Sequence, residues 1–360
     1  MAQGSGLRHV VAGLQARLVA ALLLLAAPVS AQQVRIVQTN SGNTNNIHLI
    51  DPATNRIAGE VANVPINHGA AASPDGRWLY FSSEAEQTLH VVDAKTLQTT
   101  RKIPLSGRPN NISIGRDGRR VYVGIVSAPG AVDVIDTVAL EKVKSIPTKG
   151  GIHNTYVTPD GKFVLAGSIA GRVMTVIDAA TDEPAWTLFN EGVRPIAIEA
   201  NPDRSTKRLF VQLSDFHGFA IVDFATRKEV GRVTLPNDIP PEKVDKGPFN
   251  ASPSHGIGVA PDGRTLWVTS RPNARVYVYS LPDLMLLGHE DLGGRPDWVT
   301  FTPDSKTVYI ATENTDSVIA VDVASRKKVA TIAVDVASRK KVAAIAVGDS
   351  PKRNITVVMK

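Results

Sequence analysis

Short runs of apolar residues, broken by turn-forming residues, fill the chain from about residue 34 onward. Leu266–Ser270 and Val308–Thr312 are typical, since each contains several β-branched or aromatic residues. Pro, Asp, Gly and Asn cluster between these runs. This pattern predicts short antiparallel strands joined by tight turns, and no segment predicts a helix.

A recurring turn motif groups these strands into repeating units. It has the form Pro-Asp-Gly or a close variant, in which Pro presets φ and Gly tolerates a positive φ. Its six copies begin at Pro74, Arg116, Pro159, Pro202, Pro261 and Pro303. The spacing is 42 or 43 residues except for one step of 59. A period in the forties with short strands predicts the four-stranded blades of a β-propeller.

Counting the blades predicts how the ring closes. Six motifs mark six blades, and residues 34–64 hold three further strands that lack an innermost partner. A last run, Asn354–Val358, has no partner after it. Pairing the two ends completes a seventh blade and removes the exposed edges of an open sheet. We therefore predict an all-β, seven-bladed propeller of four-stranded antiparallel blades, forming one domain over residues 32–360.

The blade pattern resembles a known repeat family. A Pro-Asp-Gly turn, a Tyr-Val-type strand such as Leu79–Ser83 and a Val-Val-Asp-type strand such as Leu89–Asp93 follow one another in each unit. This order resembles the YVTN-type β-propeller repeats, which are related to haem-d1-binding propellers and to lactonase-like propellers. The resemblance covers nearly all of residues 32–360. It implies the fold, while the same fold serves enzymes, cofactor carriers and adhesion modules.

Residues 1–31 have the pattern of a secretory signal peptide. Arg8 and Arg17 precede the ten-residue apolar run Leu18–Ala27, and small residues follow Pro28 up to Ala31. The run is too short for a stable membrane-spanning helix. We therefore expect cleavage after residue 31 and export to the periplasm or the exterior.

Composition excludes several kinds of chemistry. The chain has no cysteine, so it cannot form an iron–sulfur cluster, a thiolate metal site or a covalent c-type haem. Its formal charge of +6 is scattered, without a basic stripe interleaved with aromatic residues. Nucleic acid is therefore not an expected partner, and no second apolar run is long enough for a membrane span. We expect a monomer.

Two irregularities interrupt the period. Residues 237–250 add a loop rich in proline and charge to the 59-residue step, just before His255. Residues 320–345 contain a tandem duplication, AVDVASRKKVATI followed by AVDVASRKKVAAI. We interpret the first as a loop over the end of the channel. The second is either an extra structural element at blade seven or an artefact of the sequence, and we assign no function to it.

Histidines recur at one position of the innermost strands. Six residues before the turn motifs stand His68, His153 and His255, in blades two, four and six. The same position holds Asn110 in blade three and Asp297 in blade seven. In blade five the position falls on Ile196 or Pro195, and in the closing strand on Lys352 or Arg353. Since these strands all begin at one end of the channel, we predict that the three imidazoles meet there.

Three converging imidazoles suit a copper, zinc or iron ion with one coordination position left open. We predict this site for His68, His153 and His255, with His217 as a fourth ligand or proton shuttle. Asp297 and Asn110 would orient a histidine or a metal-bound water. The alternative is that the histidines line a wet channel and bind ordered water.

The family resemblance implies a second kind of occupant. Related propellers hold a haem-type macrocycle over the same end of the channel through a histidine. Here that would make His68, His153 or His255 an axial ligand, bound without covalent attachment, while Arg271 or Arg353 would pair with the macrocycle's carboxylates.

Three functions follow as hypotheses. The first is an exported metal- or cofactor-binding propeller, acting as a metal-dependent oxidoreductase if it is an enzyme. The second is a non-enzymatic binding or scaffold propeller. The third is a lactonase-like hydrolase that activates water on a metal. In each, a small-molecule substrate or redox partner would meet the loop face at the end of the channel.

Overall fold

A computed structural model of the chain describes residue 1 and residues 33–40, 45–237, 253–333 and 351–359. The predicted signal peptide, most of the 237–250 insertion and nearly all of the second copy of the duplication lie outside the described residues. Residues 32–360 form one unit. Its strands make seven four-stranded antiparallel sheets, which confirms the predicted seven-bladed propeller.

Each blade runs from an innermost to an outermost strand, and the strands are numbered in chain order. Blade one contains β28 (Pro351–Met359), β1 (Gln33–Asn40), β2 (Ile47–Asp51) and β3 (Arg56–Val61). Blade two contains β4 (Asn67–Ala72), β5 (Trp78–Ser83), β6 (Thr88–Asp93) and β7 (Thr99–Pro104). Blade three contains β8 (Pro109–Ile114), β9 (Arg120–Ile125), β10 (Ala131–Asp136) and β11 (Glu141–Pro147).

The remaining blades repeat this order. Blade four contains β12 (Ile152–Val157), β13 (Phe163–Ser168), β14 (Val173–Asp178) and β15 (Glu183–Leu188). Blade five contains β16 (Val193–Ala200), β17 (Thr206–Leu213), β18 (Gly218–Asp223) and β19 (Lys228–Thr234). Blade six contains β20 (Ile257–Val259), β21 (Thr265–Ser270), β22 (Arg275–Ser280) and β23 (Leu286–Asp291). Blade seven contains β24 (Pro296–Phe301), β25 (Thr307–Thr312), β26 (Ser317–Asp322) and β27 (Lys327–Ala333).

The closing strand joins the two ends of the chain as predicted. Strand β28 is the innermost strand of blade one and pairs antiparallel with β1, from Gln33 opposite Met359 to Gln38 opposite Asn354. After a register shift the pairing ends with Asn40 opposite Pro351. Because the ring is closed in this way, β1 is paired on both sides, with β28 and with β2.

Apolar cores lie between neighbouring blades. Val37, Leu49 and Val357 of blade one pack in one cluster with Leu79 and Phe81 of blade two. The outermost strands are mostly exposed, with β7 as an example. Each blade thus buries both faces of its inner strands against the adjacent blades, so the stability of every blade depends on its neighbours.

The repeating turns are built by the same few residues in each blade. Asp136 Oδ1 accepts the backbone N–H groups of Val138 and Ala139, each at 2.8 Å. In the Pro-Asp-Gly turns, Gly118 and Gly161 have φ of +74° and +77°, which glycine adopts at low cost. These turns provide hydrogen-bond partners for the backbone where two strands are joined, and they account for the motif that is visible in the sequence.

No helix within the described residues has the length and apolar character required to cross a membrane.

Candidate functional site

The innermost strands begin at one end of the channel, which we call the mouth. In β8 the first ladder pair, Pro109 with Ile125, is followed by a bulge before Ile112 resumes the ladder. The residue after the first pair holds the equivalent place in every blade but the sixth. There β20 begins only at Ile257, and His255 is assigned by its position six residues before the turn motif. We call this set the mouth ring: His68, Asn110, His153, Arg194, His255, Asp297 and Lys352.

Blade five corrects the sequence prediction for this ring. We expected Ile196 or Pro195 at the position, but the structure places Arg194 there. The reason is that β16 has 8 residues, whereas β8 has 6, so counting back from the turn goes wrong by two. In blade one the position belongs to Lys352, and Arg353 follows it.

The structure brings the three ring histidines together. The ring centroids of His68 and His153 lie 6.5 Å apart, and those of His153 and His255 lie 5.6 Å apart. Both pairs meet edge to face, with interplanar angles of 82° and 89°. Trp298, in β24 of blade seven, lies 6.1 Å from His255 between ring centroids. The mouth therefore carries three imidazoles next to an indole.

His68 is oriented by an acidic residue of the turn after β5. Its Nδ1 lies 2.5 Å from Oε1 of Glu84, whose other oxygen accepts from Arg108 at 2.9 Å. Burial alone would raise the pKa of Glu84, but His68 and Arg108 together hold that pKa below its ordinary value. An ionised carboxylate only accepts hydrogen bonds, so Nδ1 carries the proton. Nε2 of His68 therefore keeps a lone pair for a ligand.

His153 has the opposite tautomer. Arg353 donates from Nη2 to Oδ1 of Asn154 at 2.9 Å, which fixes the orientation of that amide. The amide nitrogen of Asn154 then lies 2.7 Å from Nδ1 of His153 and donates to it. Nδ1 is therefore the acceptor, and Nε2 carries the proton of the neutral ring. His153 presents a hydrogen-bond donor where His68 presents a lone pair.

His255 is buried, with 7% of its surface exposed. Its Nδ1 has no hydrogen-bond partner in the part of the chain that the structure describes. Burial and then the nearby charges of Arg271 and Arg194 hold the pKa of His255 well below its ordinary value. Burial and the charge of His255 do the same for His153, and burial outweighs Glu84 at His68. The three imidazoles are therefore neutral at neutral pH, as ligands must be.

The geometry of the described residues does not support the predicted site for a bare metal ion. Among the described residues, no group of three or more His, Asp or Glu side chains could hold one. The tautomer of His153 gives a physical reason, because its protonated Nε2 has no lone pair to offer. His217, predicted as a fourth ligand, lies 2.8 Å from Ser270 Oγ through its Nε2. The ligand roles of these four histidines toward a bare ion remain predictions without support from this geometry.

The sequence predicted that Asp297 orients a histidine or a metal-bound water. In the structure Asp297 takes part in an ion-pair network. It is fully buried and accepts from Nε of Arg271 at 2.7 Å, and Lys352 Nζ lies 3.4 Å from its other oxygen. Glu313 joins the network through Lys352 at 2.6 Å and through Arg271. The charge of Arg271, predicted to pair with cofactor carboxylates, is thus largely balanced by two buried acids. Asn110, the other predicted orienting residue, has a buried Oδ1 without a hydrogen-bond partner among the described residues.

Arg353, the other residue predicted to pair with the cofactor's carboxylates, lies in a different environment from Arg271. It is 3% exposed, and its guanidinium carbon lies 3.7 Å from the ring centroid of Trp298. Burial lowers the pKa of Arg353 to about 9. Arg194, which the sequence prediction missed, is held by Ser214 Oγ at 2.9 Å, and burial lowers its pKa to about 10. Only the register of β16 places Arg194 at the mouth, so counting from the turn motif could not find it.

Comparison with known proteins shows what part of this chain is similar to. Residues 31–188 match the family model of the Cytochrome D1 heme domain. This match confirms the predicted relation to haem-d1-type propellers for that part of the chain, while the YVTN label stays a prediction. No curated protein matches the sequence.

Solved structures share the fold at low sequence identity. Hydrazine synthase from Kuenenia stuttgartiensis is 23% identical over 78% of this chain and 90% of its own, with a TM-score of 0.65. Dihydro-heme d1 dehydrogenase NirN, solved in complex with DHE, is 16% identical over 84% of this chain and 64% of its own, with a TM-score of 0.61. At these identities the likeness supports the propeller fold alone.

Proposed function

We propose that this chain is an exported d1-type propeller that binds a non-covalent haem-type macrocycle over the mouth. The supporting observation is the Glu84–His68 pair, at 2.5 Å, which leaves Nε2 of His68 as a lone-pair donor. Metal-ligating histidines commonly have such a carboxylate on the other ring nitrogen. The family match and the neighbouring dihydro-heme d1 dehydrogenase agree with this occupant.

The residues at the mouth fit such a group. A buried Nδ1 on His255, without a partner among the described residues, indicates that the cluster of rings is incomplete without a ligand. Arg194 adds positive charge to the ring, which suits the carboxylates of a tetrapyrrole. Trp298 and the three imidazoles provide flat, uncharged surface for a macrocycle.

The chain's own residues divide the work as follows. His68 would hold the iron, and Glu84 keeps the imidazole of His68 in the required tautomer. His153 donates a hydrogen bond from Nε2 toward a ligand at the mouth, while Asn154 and Arg353 keep that tautomer in place. A bound haem supplies an iron that exchanges electrons, so we propose a redox role for the protein. The apolar sequence run before residue 31 supports the proposed export.

A titration tests the proposal. Purified protein is mixed with haem d1 and, separately, with hemin, and binding is followed by absorbance. We expect His68→Ala to weaken binding at least about tenfold, because the imidazole that would hold the iron is lost. His289→Ala is the matched control, since His289 lies exposed on the outer strand β23. Equal binding by wild type and His68→Ala, or no binding of either macrocycle, would contradict the proposal.

Elemental analysis of the same preparations separates this function from the bare-metal alternative. The proposal predicts iron only when a macrocycle is present. A stoichiometric copper or zinc ion in macrocycle-free protein, lost equally on substituting His68, His153 or His255, would favour the three-histidine metal site instead.

A further inference from the structure

A cavity lies along the inner strands. Its volume is about 270 Å³. The lining includes Asn111 and Ser113 from β8, Tyr156 from β12, Trp298 from β24 and Arg353 from β28. Apolar residues further along the same strands, such as Ile114 and Ile355, line the rest. The cavity is thus mostly apolar in its walls, with a few polar groups and one cation.

The cation is Arg353, and it has no acidic partner among the described residues. No carboxylate of the described residues forms an ion pair with it, although it is almost fully buried. Its Nη2 donates to Asn154 and its face stacks on Trp298, but its Nε has no hydrogen-bond partner within the described ranges. A buried guanidinium without a counter-charge is costly, and this cost indicates that an anion belongs beside it.

Two hydroxyl groups of the same cavity also lack acceptors. Ser113 Oγ is buried and has no partner among the residues that the structure describes. The hydroxyl oxygen of Tyr156 accepts the backbone N–H of Ile196 at 3.2 Å, so its own O–H remains a donor. An N–H and two O–H donors therefore line one small cavity. Asn111 Oδ1, a buried acceptor without a partner in the described structure, would be satisfied by a water that enters with the ligand.

We propose that this cavity binds a small planar oxyanion, of the size of nitrate or formate, through Arg353, Ser113 and Tyr156. Arg353 supplies the charge and the open Nε–H, and the two hydroxyls donate to the remaining oxygen atoms. The site requires no macrocycle at the mouth. It is nevertheless connected to the mouth, because Arg353 holds the amide of Asn154 that fixes the tautomer of His153.

Calorimetric titration of macrocycle-free protein with sodium nitrate and with sodium formate tests this site, using chloride at equal ionic strength as the reference. We expect saturable binding of one oxyanion and a rise in melting temperature with oxyanion concentration. Arg353→Met should weaken binding at least about tenfold, and Ser113→Ala about threefold. Arg101→Met is the matched control, because Arg101 is exposed on β7.

Further variants give the opposing outcomes. If Arg353→Met does not fold, Ser113→Ala decides, since it removes only a donor from the cavity. Arg194→Met should leave oxyanion binding intact, and a loss of binding in that variant would place the anion at the mouth and overturn the proposal. Absence of binding to macrocycle-free protein, or binding only after haem loading, would also overturn it. Haem affinity measured separately remains the test of the proposed function.

Discussion

The two ends of each blade, the mouth and the end that carries the aspartate turns, follow opposite rules. At the turn end, aspartates recur in blade after blade, as Asp136 and Asp178 do, and each accepts backbone N–H groups of its own turn. At the mouth, equivalent positions carry histidine, asparagine, arginine, aspartate or lysine. Residues that repeat satisfy the backbone, whereas residues that differ meet one another across the channel. In this propeller, departure from the repeat is what marks chemistry.

Of the predicted changes, removal of the closing strand should lower stability most, because it affects both ends of the blades. Truncation before Pro351 removes the ladder with β1 and the buried Val357. Blade one then loses its innermost strand and blade two loses part of its core, so we expect the melting temperature to fall by about 10 °C or more. Circular dichroism during heating measures this. Removal of Lys360 alone should change nothing, and an unchanged transition in the long truncation would refute the importance of closure.

Two aspartates of blade seven, one at the mouth and one in a turn, allow the contributions of the two ends to stability to be compared. Asp297→Asn leaves the buried Arg271 and the partly buried Lys352 with one acid fewer, so we expect a loss of about 3 kcal/mol in unfolding free energy. Asp304→Asn, in the turn of the same blade, changes a side chain that is 53% exposed and should cost less than about 0.5 kcal/mol. Urea denaturation gives both values. Equal costs would show that the two ends do not differ.

Two glutamates that contact histidines, one at the mouth and one away from the mouth ring, can be compared by their effect on haem affinity. Glu84→Gln removes the carboxylate that fixes His68, and we expect haem affinity to fall about tenfold. Glu86→Gln alters a similar pair, with His90 at 2.7 Å, away from the mouth ring, and should leave haem affinity unchanged. Absorbance titration compares the two. A similar loss in both variants would point to a general effect on blade two.

The smallest expected effect concerns the turns alone. Asp136→Ala and Asp178→Ala each remove the hydrogen bonds of one turn, and each should cost about 1 kcal/mol. Because the two turns have the same construction, the two costs should agree, and neither variant should alter haem binding. Chemical denaturation measures the costs, and a large difference between them would show that the turns are not equivalent scaffold.

The sequence was sufficient for the fold because the fold is repetitive. The spacing of Pro159 and Pro202 from their neighbours predicted the blades, and the unpaired run at Asn354–Val358 predicted the closing strand. Six blades need the same turn, so six similar turn motifs appear in the sequence, and each motif supports the assignment of the others.

The site was less predictable, since its properties depend on contacts between blades. The recurring histidine position was visible in the sequence. The tautomer of His68, however, depends on Glu84, which lies 16 residues away, and that of His153 depends on Arg353 in β28. Arg194 was missed because two additional residues in β16 shift the count. No local pattern records such contacts; they arise only when the strands are assembled.

The position of Lys352 and Arg353 on β28 has a consequence for assembly. The chain supplies these two cations to the channel only with the strand that seals the ring, so an unfinished propeller would hold three histidines without them. If the proposed anionic ligands bind there, the strand that closes the ring also supplies two of the cations of their site.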